Sequence, residues 1–85
     1  MSFRVEFPRR AARDYANLDG SVQRRIRQAL RRLAANPNAG KPLQRPLRNR
    51  RSYRVGDYRI IYRVERDKLL VLVLTIGHRR EVYKT

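Results

Sequence analysis

Tyr53-Arg54-Val55-Gly56-Asp57-Tyr58-Arg59-Ile60-Ile61-Tyr62-Arg63-Val64-Glu65 is the stretch that decides how this chain folds. Gly56-Asp57 is a turn signal between two runs rich in β-branched and aromatic residues, so the segment predicts a hairpin. In the second run Tyr58, Ile60, Tyr62 and Val64 point one way, and Arg59, Ile61, Arg63 and Glu65 the other. Arg66-Asp67-Lys68 predicts a second tight turn. The next strand, Leu69 to Ile76, is apolar on both faces, as a central or strongly curved strand would be. Glu81-Val82-Tyr83 reads as a short edge segment.

Toward the N-terminus the period changes. Phe3, Val5 and Phe7 alternate with Arg4 and Glu6, which predicts a strand with one buried face. Pro8 suits the first turn of a helix, where its missing N–H costs nothing. Ala11, Tyr15 and Leu18 form the apolar stripe of that short helix, which should end near Asp19-Gly20. A second helix follows from about Ser21, with Asp19 or Ser21 as N-cap. Val22, Ile26, Ala29, Leu30 and Leu33 are its buried stripe, and Arg24, Arg25, Arg27, Arg31 and Arg32 fill the rest of its circumference. Asn36-Pro37-Asn38 stops it. Residues 37–51 read as an ordered loop anchored by Leu43 and Leu47.

The fold class is therefore α+β, in one domain spanning residues 1–85. An N-terminal strand and a two-helix hairpin precede three to four antiparallel strands, with the helices packed on one sheet face. The helices should cover the Tyr58–Val64 set, leaving Arg59 and Arg63 on an open, basic face. Function should sit there.

Composition narrows what that face meets. Among 85 residues there are 22 basic and 7 acidic side chains, a net charge of +15, and 19 of the basic residues are arginine. Arginine offers a planar fork of donors that matches phosphate oxygens, so a polyanionic partner is expected, nucleic acid first. The chain has no cysteine and one histidine. That removes disulfides, thiolate sites and multi-histidine metal centres. The longest apolar run, Leu69 to Leu74, is too short to span a bilayer, and the first residues lack a signal-peptide pattern. The expectation is a soluble cytoplasmic protein with no membrane partner.

Two further stretches join the deciding one. Leu43 with Tyr53-Arg54-Val55-Gly56-Asp57-Tyr58-Arg59-Ile60-Ile61-Tyr62, then Gly77-His78-Arg79-Arg80-Glu81-Val82-Tyr83, resemble the RelE/ParE superfamily of toxin–antitoxin toxins. The helical hairpin ending in Leu33-Ala34-Ala35-Asn36-Pro37 is similar too, so the resemblance covers nearly the whole chain. It implies a microbial-ribonuclease-like fold and a choice between two activities. RelE-type members cut messenger RNA on the ribosome, whereas ParE-type members inhibit DNA gyrase and lack the nuclease residues. The nuclease pattern falls here on Arg54, Arg59, Arg79 and Tyr83, which favours a ribosome-dependent endoribonuclease without cofactor or metal. One position departs: where many nuclease members carry a basic residue, this chain has Ser52. The partners implied are a cognate acidic antitoxin, the ribosome and mRNA. The alternatives are a gyrase inhibitor and a non-catalytic basic RNA-binding module.

In the nuclease reading the RNA 2′-hydroxyl attacks the adjacent phosphorus, and fixed arginines stabilise the added charge. Arg59 and Arg79 are the candidates for that task. Tyr83 would stack on a base or bond the backbone, and Arg54 would position the phosphate. Arg50, Arg51, Arg63 and Arg80 are further RNA-binding candidates. The acid–base partners are less defined. Arginine stays protonated, and of the carboxylates in the sheet half, Asp57 and Asp67 read as turn residues beside Glu65 and Glu81. Histidine is the side-chain type whose ordinary pKa lies nearest neutrality, which makes His78 the candidate acid or base. It shares parity with Leu70, Leu72, Leu74 and Ile76, however, and that bulkier set should face the helices, which gives His78 a structural reading at the core margin.

Overall fold

The computed structural model describes residues 2–43 and 49–78. In chain order its strands are β1 (Arg4–Glu6), β2 (Lys41–Pro42), β3 (Arg51–Val55), β4 (Tyr58–Glu65) and β5 (Leu70–His78). Its helices are α1 (Arg9–Ala16) and α2 (Gly20–Ala35), with single 3-10 turns at Pro37–Ala39 and Arg66–Lys68. The strands form one sheet in the order β1-β5-β4-β3-β2. All neighbours run antiparallel except β1, which lies parallel to β5 with Val5 opposite Val71.

Both helices cover the same sheet face. Ala11 of α1 and Ile26, Ala29, Leu30 and Leu33 of α2 pack with Ile60, Tyr62, Val71, Val73 and Ile76 in a single core. The stripe spacing of α2 thus does what the sequence expects, with Val22 at its half-buried edge. The first helix is shorter than expected, ending at Ala16. The side chain of Gln23 reaches back there and donates to the Tyr15 carbonyl at 2.9 Å. Pro8 is the residue before the helix rather than within its first turn, and Asp19 precedes α2 without a side-chain capping bond.

The turn at Gly56-Asp57 forms as expected, with Gly56 at φ 61°, a left-handed conformation that glycine adopts without steric cost. Within the expected loop of residues 37–51, the described part before Leu43 holds regular structure, a 3-10 turn at Pro37–Ala39 and β2, which adds to β3. Tyr62 explains why. Its fully buried hydroxyl donates to the Pro37 carbonyl at 2.7 Å and accepts from the Gly40 N–H at 2.9 Å. A Cβ at Gly40 would stand 2.5 Å from that hydroxyl, so only glycine lets the chain pass this close. Arg51 adds a bond to the Gly40 carbonyl at 2.7 Å. Leu43 is half-buried as expected of an anchor, while Leu47 and the Glu81-Val82-Tyr83 segment lie outside the described residues.

One expectation about β5 is corrected. Val71 and Val73, not Leu70, Leu72 and Leu74, face the helices. Register then shifts: Tyr62 pairs with Val73 but Ile61 with Thr75, leaving Leu74 as the extra residue of a bulge. The bulge reverses the alternation, so Ile76 and His78 return to the helix side. No helix among the described residues is long and apolar enough to cross a membrane.

Candidate functional site

Because β4 carries Ile60 and Tyr62 into the core, its intervening residues Arg59, Ile61 and Arg63 stand on the opposite face. Pairing with β3 sets Arg54 directly opposite Arg59, and Ser52 opposite Ile61. Like charges placed opposite one another on a sheet destabilise it, unless an anion sits between them. Arg54 is exposed and its Nε donates to the Gly56 carbonyl at 3.0 Å. Arg59 is half-buried, and its Nη1 donates to the Ser52 hydroxyl at 3.5 Å. Ser52 itself is only 5% exposed.

A cleft of about 300 Å³ opens over this pair, lined by Ala39, Lys41, Ser52, Tyr53, Arg54 and Arg59. Lys41 was absent from the residues expected at the site. Nothing periodic marks it, since β2 is only two residues long and exists through pairing. A second groove, about 210 Å³, adjoins between α2 and the hairpin, with Arg25, Gln28, Arg32 and Arg54 in its walls. Arg32 Nη1 there donates to the Tyr53 hydroxyl at 3.2 Å. Arg54 thus borders both basic clefts.

The other candidates are placed differently. Arg51 lies on the helix side, and its guanidinium is bonded to the Gly40 and Asn38 carbonyls, so it secures the 37–42 segment. Arg50 is half-buried beside Pro42 and Leu43, and its carbonyl accepts from the Leu43 N–H at 2.8 Å. Arg63 stands on the open face with Arg59, as expected, but it is half-buried and its guanidinium is ion-paired with Glu65 at 3.0 Å. Glu65 also pairs with Lys68 at 3.6 Å. His78 packs edge-on against Tyr58, with ring centroids 5.8 Å apart, in a cleft with Asp14, Asn17 and Leu18. Asp14 accepts from the Ile76 N–H at 3.1 Å and ties α1 to this end of β5. His78 and the Arg54–Arg59 pair are therefore on opposite sides of the sheet. Arg79, Arg80 and Tyr83 lie outside the described residues. Among the described residues no three carboxylate or imidazole groups come together to hold a metal ion.

Chemically, two arginines paired across β3 and β4 and lining one open cleft supply charged donors suited to an anion. Known proteins carry the same framework. The family model described as the ParE toxin of the type II toxin–antitoxin system parDE matches residues 5–83. Toxin RelG of Mycobacterium tuberculosis is 33% identical over 86 residues, which cover 99% of this chain and 99% of RelG. In the crystal structure of the toxin–antitoxin complex RelBE2 from M. tuberculosis, one chain superposes with a TM-score of 0.86 at 32% identity. The match covers 93% of this chain and all of that one. The isolated RelE toxin of E. coli superposes with a TM-score of 0.79 at 25% identity, over 98% of this chain and 93% of RelE. With a helix pair on one face of a mixed sheet, and identity carried along nearly its whole length, this chain belongs to the RelE/ParE superfamily and is a RelE-like toxin of a type II toxin–antitoxin pair.

Proposed function

We propose that this toxin is a ribosome-dependent endoribonuclease that cleaves mRNA without a metal ion. The observation that carries the reading is the facing of Arg54 and Arg59 in register on the open sheet face, over a cleft wide enough for a phosphodiester. In the reaction the 2′-oxygen of the substrate attacks phosphorus in line as its proton leaves. The P–O2′ bond forms, the P–O5′ bond breaks, and the departing 5′-oxygen takes up a proton. The products are a 2′,3′-cyclic phosphate and a 5′-hydroxyl. Arg59 stabilises the extra negative charge on the non-bridging oxygens, and Arg54 fixes the phosphate and favours the 2′-oxyanion. Arg79 is assigned as a second stabilising charge and Tyr83 as a stacking platform for a base. Arg50 and Arg80 extend the positive surface along the RNA backbone.

In this reading His78 is structural, since the sheet separates it from Arg54 and Arg59. The cluster supplies charge and orientation, but arginines are poor proton carriers. Rate then depends on holding the 2′-oxygen in line. The ribosome would supply that alignment, which is why free RNA is expected to be a poor substrate. The test is incubation with programmed ribosomes followed by mapping of messenger ends. Cleavage within the ribosome-bound codon, ending in a cyclic phosphate, supports the proposal; intact messenger ends it. A second reading, inhibition of DNA gyrase, is favoured by the ParE description of the matching family model. A supercoiling assay with purified gyrase separates the two.

The antitoxin partner follows from charge. RelBE2 and the other toxin–antitoxin complexes of similar fold carry a bound antitoxin, and a +15 surface will steer an acidic segment toward itself. The association rate with the cognate antitoxin is expected to fall by about tenfold or more between low and high salt, with a smaller change in dissociation. Stopped-flow mixing measures this, and a salt-independent rate would remove electrostatic steering from the account.

A further inference from the structure

We propose that Lys41 is a third phosphate-binding residue of the cleft. It holds the phosphate next to the one gripped by Arg54 and Arg59 on the same RNA strand. The inference rests on the nuclease reading for its substrate, and on three features of β2 for its geometry.

First, register sets Lys41 directly opposite Ser52, which in turn lies opposite Ile61. Facing residues on adjacent strands share a sheet face, with Cβ atoms about 5 Å apart. Lys41 therefore stands on the face that carries Arg54 and Arg59, one strand further out. Second, the residue between them is small. Ser52 is buried at 5% exposure and accepts from Arg59, so no bulky side chain separates the lysine from the arginine pair. Lys41, Ser52, Arg54 and Arg59 together line one cleft. Third, the backbone beneath Lys41 is secured. Gly40 is bonded through its N–H to Tyr62 and through its carbonyl to Arg51, and the Leu43 N–H is bonded to the Arg50 carbonyl. A two-residue edge strand secured at both ends fixes the sheet face from which its lysine departs.

Lys41 is also exposed, and among the described residues no salt bridge engages it. A lysine on an edge strand is often only a guard against strand pairing. Here its side chain is directed over a cleft that already holds two guanidiniums, where like charge raises the cost of its presence. An anion in the cleft removes that cost. The ammonium acts as a point charge and does not read bases, so the contact sets the path of the strand rather than sequence preference.

The experiment compares wild type, Lys41→Gln, Lys41→Arg and Lys68→Gln in two assays. Lys68 carries the same charge on the Arg66–Lys68 turn and controls for net charge. In single-turnover cleavage on programmed ribosomes, Lys41→Gln is expected to raise the half-saturating concentration by about 10-fold or more, which is the range for losing a charged contact. The saturated rate should change little, because a contact made equally in ground and transition states affects binding alone. Lys41→Arg should restore binding, and Lys68→Gln should match wild type. In the second assay each protein binds a single-stranded 2′-O-methyl RNA, which cannot be cleaved, over a range of salt. Loss of one phosphate contact should lower the slope of log affinity against log salt by about 0.7 in Lys41→Gln alone. An unchanged slope overturns the proposal, as does an equal change in Lys68→Gln. Should wild type fail to cut messenger on ribosomes, the nuclease reading falls, and the salt slope still decides whether Lys41 holds a phosphate.

Discussion

Replacing Arg59 with alanine is expected to reduce messenger cleavage on programmed ribosomes by about a hundredfold or more, with the protein still folded. The magnitude is that of removing one preorganised donor from a transition state that gains negative charge, about 3 kcal/mol. Arg59 is suited to the effect because it is half-buried on the open face, directly across from Arg54, and oriented by the Ser52 hydroxyl. Arg59→Lys keeps the charge but not the planar fork, so it should recover only part of the rate. The fold should tolerate the change. Arg59 lies outside the core formed by the helices and the other sheet face, and its loss relieves a like-charge pair. Arg63→Ala is the matched comparison, two residues along the same face with its guanidinium held by Glu65, and it should keep most activity. If Arg59→Ala and Arg54→Ala each retain full cleavage while circular dichroism shows a folded protein, the paired arginines are not the catalytic charge. Gyrase inhibition would then become the leading account.

Tyr62→Ala is expected to have the largest effect on stability. The side chain has no exposed surface, so its removal leaves a cavity worth about 3–5 kcal/mol. It also strands the Gly40 N–H and the Pro37 carbonyl. A domain of this length has a total stability of only about 4–13 kcal/mol, so the variant should lose a large part of it and show a sharply lowered urea midpoint. Tyr62→Phe isolates the hydroxyl: the ring stays, two polar backbone groups lose a partner, and the cost should be about 1–3 kcal/mol in urea unfolding. The same hydroxyl makes stability depend on alkaline pH. Burial pushes its pKa above the ordinary value near 10, opposed in part by the Gly40 N–H bond and the positive charge of Arg51, with Tyr53 adding slightly to the rise. A raised folded-state pKa means the folded protein keeps the proton that the unfolded chain gives up. Stability is therefore complete below about pH 10 and falls as pH rises from there through the folded-state pKa. Tyr62→Phe should lack this alkaline loss when urea midpoints are compared between pH 9 and 11. An identical loss in both proteins would assign it to other groups.

The two predictions concern opposite faces of one strand, and that separation is readable from sequence. Alternation along Tyr58–Glu65 assigns Tyr62 inward and Arg59 outward because side chains in a strand take opposite sides in turn. The same local regularity marks the stripe of α2 and the left-handed turn at Gly56. These features depend on neighbours a few residues apart. What lies opposite what does not. Arg54 faces Arg59 only through the register of β3 on β4, and β1 lies parallel to β5 only because the helical hairpin carries the chain across the sheet. Lys41 escapes a sequence reading for the same reason: Lys41–Pro42 has no periodicity, and becomes a strand by pairing with β3 and by the bond from Gly40 to Tyr62. Along β5 the sequence is apolar at both parities, so alternation alone cannot say which set is inside. The bulge at Leu74 decides, turning Ile76 and His78 to the helix side after Val71 and Val73. Periodicity is local and determines which residues share a face. Register, bulge and strand order are set by contacts between residues far apart in the chain, and only those bring three cations over one cleft while keeping the single histidine on the other side of the sheet.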